Sequence, residues 1–334
     1  MKRFTFGRLA LCVLCGASMA LLAPGPASAG WVSQTSGTTR RLSSVHFPVD
    51  ASTGYVSGEA GTILKTTNGG ANWVSQTSGI TSALLSIYFP VDALTGYAVG
   101  YLGNIRKTTN GGTTWVAQPS VIGENLYSVH FPADALTGYA TGWLGAIQKT
   151  TNGGAAWVAQ TSGTTNGLRS VRFPLDASTG YVVGDAGTIL KTTNGGAAWV
   201  ALISGTTQNL SSVHFPVDAS TGYATGANGT IRKTTDGGAN WFGQTSGVTG
   251  SVSSVHFPVS ALTGYAVESF GTILATTNGG ANWVTQPSGT TNWLRSVHFP
   301  VDASTGYAVG DNGTILKTTD GGSGVEEENK GFEG

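Results

Sequence analysis

Apolar and polar residues alternate along this chain in short bursts, and the bursts recur at a fixed interval. Leu42-Ser43-Ser44-Val45-His46-Phe47, Tyr55-Val56-Ser57-Gly58, Thr62-Ile63-Leu64-Lys65-Thr66 and Trp73-Val74-Ser75-Gln76 are each of strand length and too short for a helix. They predict strands A, B, C and D of one repeat. Pro48 ends strand A, because proline cannot donate to a sheet ladder. Between C and D lies Thr66-Thr67-Asn68-Gly69-Gly70. Its paired glycines reach positive φ at little cost, and the Asn68 side chain is placed to bond amides two or three residues on. This is a hairpin tip.

The whole pattern returns. Trp31, Trp73, Trp115, Trp157, Trp199, Trp241 and Trp283 stand 42 residues apart without insertion or deletion. Four short strands in such a period predict a propeller blade rather than a helical solenoid. Strand A recurs at Leu42, Leu84, Leu126, Leu168, Leu210, Val252 and Leu294, but the last copy stops at Gly322 without its tryptophan strand. The missing strand is at the other end, where Trp31-Val32-Ser33-Gln34 is a strand D with no A, B or C before it. The expectation is an all-β, seven-bladed propeller over residues 30–322. N-terminal strand D pairs with C-terminal strands A to C, so no sheet edge is left open.

Thr66-Thr67-Asn68-Gly69-Gly70-Ala71-Asn72-Trp73 resembles the Asp-box, or bacterial neuraminidase repeat, which caps the hairpin between the third and fourth strands of propeller blades. Asp236 and Asp320 carry the acid; Asn68, Asn110, Asn152, Asn194 and Asn278 stand in its place elsewhere. With its Thr-Gly-Tyr and Gly-Thr-Ile-Leu-Lys-Thr-Thr segments, the repeat is similar to those of the photosystem II assembly and stability factor family. The similarity covers nearly all of the chain after residue 30. It implies a non-catalytic scaffold for membrane-protein intermediates in photosynthesis, acting in part through a basic patch. Arg106, Lys107, Arg232 and Lys233 are the candidates for that patch.

The ends add a compartment. Lys2, Arg3 and Arg8 precede an apolar run from Leu9 to Leu22 and then Ala27-Ser28-Ala29, the pattern of a secretory signal peptide over residues 1–29, cleaved before Gly30. The mature protein is expected to be secreted or periplasmic. Cys12 and Cys15 both fall within the signal, so no disulfide is expected after cleavage. Lipid anchoring through Cys15 is the alternative, disfavoured by the bulky Leu14. No later apolar run is long enough to span a bilayer. The 17 basic and 17 acidic residues balance, which removes the basic excess that nucleic-acid binding needs. Residues 323–334, with Glu326, Glu327 and Glu328, are expected to be an acidic, disordered tail.

Because strands alternate in direction, the A-to-B and C-to-D turns share one face of the disc and the B-to-C and D-to-A turns share the other. The first face is uniform: Phe-Pro and Thr-Thr-Asn/Asp-Gly-Gly recur in every blade. The second varies, carrying Arg40, Arg41, Glu59, Tyr101, Glu124, Trp143, Asp185, Phe270, Trp293 and Asp311. Aromatic anchors and charges on rigidly mounted loops fit a binding face for a protein or a glycan; drift in unconstrained loops is the other reading. A monomer without cofactor is expected.

His46, His130, His214, His256 and His298 occupy one repeat position, with Tyr88 and Arg172 at the remaining two. Residues held a blade apart do not converge as metal ligands must, so a structural role and no metal are expected. A sialidase-like hydrolase is the alternative function, drawing on Arg40, Arg41, Arg169, Arg295, Tyr101 and Tyr127. Its carboxylate pair, which needs a spacing of about 5 to 9.5 Å, would fall to Glu59 and Asp311 across the closing seam. Those tips lie away from the axis where such sites form, so the match is poor.

Overall fold

A computed structural model describes residues 30–324, and these form seven four-stranded antiparallel sheets. The signal segment 1–29 with both cysteines, and tail residues 325–334, lie outside the described residues. The first blade is Leu42–His46 (A), Gly54–Gly58 (B), Ile63–Thr66 (C) and Val74–Gln76 (D). These bounds agree with the burst pattern to within a residue. The ring closes as the chain ends require: Val32 stands opposite Lys317, Ser33 opposite Leu316 and Gln34 opposite Ile315.

The core lies between blades. Leu42, Val45, Phe47, Val56 and Leu64 of blade one pack with Tyr307, Val309 and Ile315 of blade seven. Phe47 stacks on Tyr307 at 3.9 Å and meets Trp73 edge-on at 6.1 Å. The Tyr-on-Phe stack recurs at all seven seams, at 3.8–4.0 Å. Gly54 is glycine because a Cβ there would sit 2.3 Å from the Phe47 ring.

Polar clasps cross the same seams. Tyr55 Oη donates to the carbonyls of Ala93 (2.7 Å) and Gly111 (3.2 Å), and Lys65 Nζ donates to Gly111 O at 2.8 Å. Each Asp-box turn is thus gripped by the blade before it. The lysine is missing only from blade six, which has Ala275; there Gln286 Nε2 donates to Gly321 O at 2.9 Å. Nearer the axis, the amide of Val45 donates to Ser296 Oγ, and equivalent bonds cross the other six seams.

Inside the Asp-box turn the geometry differs from the expected one. Thr66 Oγ1 is the hub: it accepts from the amides of Gly70 (2.9 Å) and Asn68 (3.3 Å) and donates to Asn68 Oδ1. Asn68 Oδ1 accepts from the amide of Asn72, four residues on, across Gly69 (φ 66°) and Gly70 (φ 85°), which turn the chain through left-handed backbone. Where the box carries an acid, the Asn240 side chain and amide bond Asp236 and hold its carboxyl down at about 2.

Candidate functional site

Strand A of every blade carries a β-bulge between its first and third residues. A bulge places two residues of one strand against one of its partner. Consecutive side chains such as Ser43 and Ser44 therefore both line the axial opening, one toward each end. The position of Ser43 becomes Leu85, Tyr127, Arg169, Ser211, Ser253 and Arg295 around the ring.

On the variable face these residues floor an axial basin of about 400 Å³. Its walls are Arg41 and Trp293 from D-to-A loops and Tyr101 from a B-to-C tip, with Tyr127, Arg169 and Arg295 rising from strand A. Blades five and six contribute small residues, among them Asn209, Ser211 and Ala227, so one side of the basin is open and polar. Arg169 lies over the Tyr127 ring at 4.9 Å, and Arg295 over the Trp293 ring at 4.2 Å. Trp293 Nε1 donates to Ser253 Oγ at 2.7 Å, which fixes the indole plane. Burial raises the Tyr127 hydroxyl above its ordinary pKa, with Arg169 opposing.

Three predicted acids hold these arginines. Asp185 takes Arg169 in a two-pronged bond (2.7 and 3.1 Å), Asp311 takes Arg295 likewise, and Glu59 pairs with Arg41 at 3.5 Å. Glu59 and Asp311, the poorly matched carboxylate pair of the hydrolase alternative, each turn to an arginine. Planar pairing with an adjacent guanidinium offers each carboxylate more than a like charge can.

Of the ten predicted binding residues, the basin thus gathers Arg41, Tyr101 and Trp293 as walls, with Glu59, Asp185 and Asp311 behind the arginines. It does not gather the rest. Arg40 and Glu124 are exposed outside the lining, and Trp143 leans over Gly167 of the next blade. Phe270 borders a separate groove with Gln286 and Pro287. The basic patch expected from strand C does not form either. Lys107 and Lys233 are seam clasps to Gly153 and Gly279, while Arg106 and Arg232 reach the carbonyls of Gly79 and Gly205. Tyr127, Arg169 and Arg295 stood out in the sequence only as hydrolase candidates. The second position of strand A, which varies most from blade to blade, was the signal for them.

The histidines also stand differently. Strand A is innermost, so its side chains converge rather than stay a blade apart. His46, Tyr88, His130, Arg172, His214, His256 and His298 form a ring around the axial throat. Centroids of His46 and Tyr88 are 4.6 Å apart, and those of His256 and His298 are 4.9 Å apart. Arg172 Nη1 lies 3.4 Å from His130 Nε2. Burial, with Arg172 nearby, holds the His130 and His214 imidazoles well below their ordinary pKa; burial lowers His46 to about 4. Among the described residues, no three His, Cys, Asp or Glu side chains have the geometry to hold a metal ion.

The family profile described as "Photosynthesis system II assembly factor YCF48" matches residues 23–173 and 155–241, more than half of the chain. No curated protein matches. Among solved structures, "YCF48 bound to D1 peptide" superposes with a TM-score of 0.73 at 19% identity, covering 87% of this chain and 97% of that one. "YCF48 from Cyanidioschyzon merolae" gives a TM-score of 0.72 at 19% identity, covering 87% and 98%. The RRP9 WD40 repeats reach 0.76 at 10% identity, covering 88% and 98%. At such identities the likenesses show the propeller fold alone.

Proposed function

The chain belongs to the photosynthesis system II assembly factor YCF48 family, and from that premise we propose that it is a non-catalytic, extracytoplasmic scaffold that holds a protein partner in the variable-face basin. The single observation carrying this reading is the basin itself: three arginines and three aromatic rings brought to one axial opening from separate blades. The aromatic faces supply rigid contact area, and the arginines keep N–H donors beyond those spent on their carboxylates, suited to peptide carbonyls and carboxylates. A related structure described as YCF48 bound to D1 peptide makes a peptide the ligand class to try first. The signal-like segment 1–29 supports the compartment.

Beside the basin lining, two B-to-C tips are strained. Leu102 and Leu144, exposed at the tips of blades two and three, have φ of 59° and 54°, a conformation that costs a branched side chain free energy.

The test is a displayed peptide library selected on the mature protein. Selected peptides are then measured on a triple variant, Tyr101→Ala, Tyr127→Ser and Trp293→Asn. Each new residue is the one blade five uses at that place, so the melting temperature should not move. Binding should weaken by about 2 kcal/mol or more, roughly thirtyfold. Undiminished peptide binding would count against the basin, and selective capture of glycans instead of peptides would reassign its ligand.

A further inference from the structure

Beneath the basin, the ring of His46, Tyr88, His130, Arg172, His214, His256 and His298 lines a throat of about 340 Å³, which reaches the uniform face past Pro48, Pro258 and Pro300. The peptide reading makes no use of it. Its hydrogen-bond bookkeeping does not close. The amide of Phe173 directs its N–H at His130 Nδ1 at 3.4 Å. Arg172 Nη1 lies 3.4 Å from His130 Nε2, so two donors face a neutral imidazole that has one acceptor nitrogen, and one of them is left unmatched. His256 Nδ1 likewise accepts from the amide of Phe299, which leaves its Nε2–H to donate. His46 and His214 have spent theirs on the carbonyls of Phe89 and Phe257. Arg172 Nε is buried without a partner, and among the described residues no carboxylate pairs with this guanidinium.

A fixed positive charge and surplus donors in a narrow polar throat favour an anionic acceptor. We propose that the throat is a binding site for a small inorganic oxyanion of the sulfate or phosphate type, held by Arg172 with the neighbouring His130 and, two blades on, His256 as further donors. An oxygen between Arg172 and His130 turns the donor conflict into two charge-assisted hydrogen bonds. The anion also favours the protonated imidazole throughout the ring, so binding takes up protons and tightens as pH falls below the ordinary histidine range.

Sulfate is the probe, since it does not titrate in this range. Melting temperature and calorimetric titration are followed against sulfate at constant ionic strength set with sodium chloride, at about pH 6 and about pH 8. The expected result is a saturable rise in melting temperature with one site per chain, larger at the lower pH. Arg172→Tyr, which places blade two's residue in blade four, should weaken sulfate binding about tenfold or more. His256→Tyr, which keeps the arginine, is the second variant and should weaken it less. No saturable response, or the same response in both variants, overturns the site. An acetate response equal to that of sulfate overturns its assignment to an inorganic oxyanion of the sulfate or phosphate type.

Discussion

At the scale of single residues, the B-to-C tips of the variable face are where this protein spends stability. Leu144 holds φ 54° and ψ 35° and is 55% exposed, so little packing offsets the strain. Asn228 and Asn312 hold the same conformation in blades five and seven, and asparagine tolerates it far better than leucine. Leu144→Asn should therefore stabilise the protein by about 1 kcal/mol, read as a higher urea midpoint with an unchanged slope. A lower midpoint would mean that Leu144 makes contacts that matter to the fold. Residue chemistry of this kind was only partly legible beforehand. The Asn-Gly-Gly signature announced a tight turn, but that Thr66 rather than Asn68 is its hub follows from how far two left-handed glycines curl the chain, which no residue name reveals.

At the scale of elements, the lysine-to-turn clasp explains why strand C so often reads Lys-Thr-Thr: the lysine lies over the tyrosine of its own blade and grips the next blade's glycine carbonyl. Blade six, with Ala275, lacks it. Ala275→Lys should strengthen the seam between blades six and seven by about 1 kcal/mol, seen as a higher thermal midpoint; a neutral or lower midpoint would show that Gln286 already fills the role. Strand limits were legible because Pro48 stops strand A and the Gly69-Gly70 pair separates C from D in each repeat. The bulge in strand A was not. Its residues, Ser43 and Ser44 in blade one, carry no mark of it, yet it decides which side chains reach the axis. Loop tips such as Arg40 and Trp143 were accordingly placed with the basin-forming residues although they stand outside its lining, whereas Tyr127, Arg169 and Arg295 line it.

At the scale of the whole molecule, the closed ring brings the innermost strands together, and this makes the fold sensitive to acid. The histidine ring is neutral when folded, with His46 lowered to about 4 and the others pushed in the same direction by burial. Unfolded histidines titrate near the ordinary value of about 6.5. Between these values the unfolded chain binds more protons than the folded one, so stability is full above about pH 6.5 and falls as pH drops toward 4. His46 alone should account for about 2–3 kcal/mol of that loss. Denaturation midpoints measured across this window without oxyanions should fall steadily; midpoints flat down to pH 4 would mean the ring is already solvated. Seven-bladed closure was legible from the stray strand D at Trp31, whereas the convergence of its histidines required the radial position of strand A.

The central claim is that the variable-face basin holds the partner. Its most direct test is hydrogen exchange of the mature protein with and without a selected peptide. Protection is predicted in the segments around Arg41, Tyr101, Tyr127, Arg169 and Trp293, with the Asp-box turns of the opposite face unchanged. Protection confined to those turns, or a library that yields no saturable binder, would contradict it.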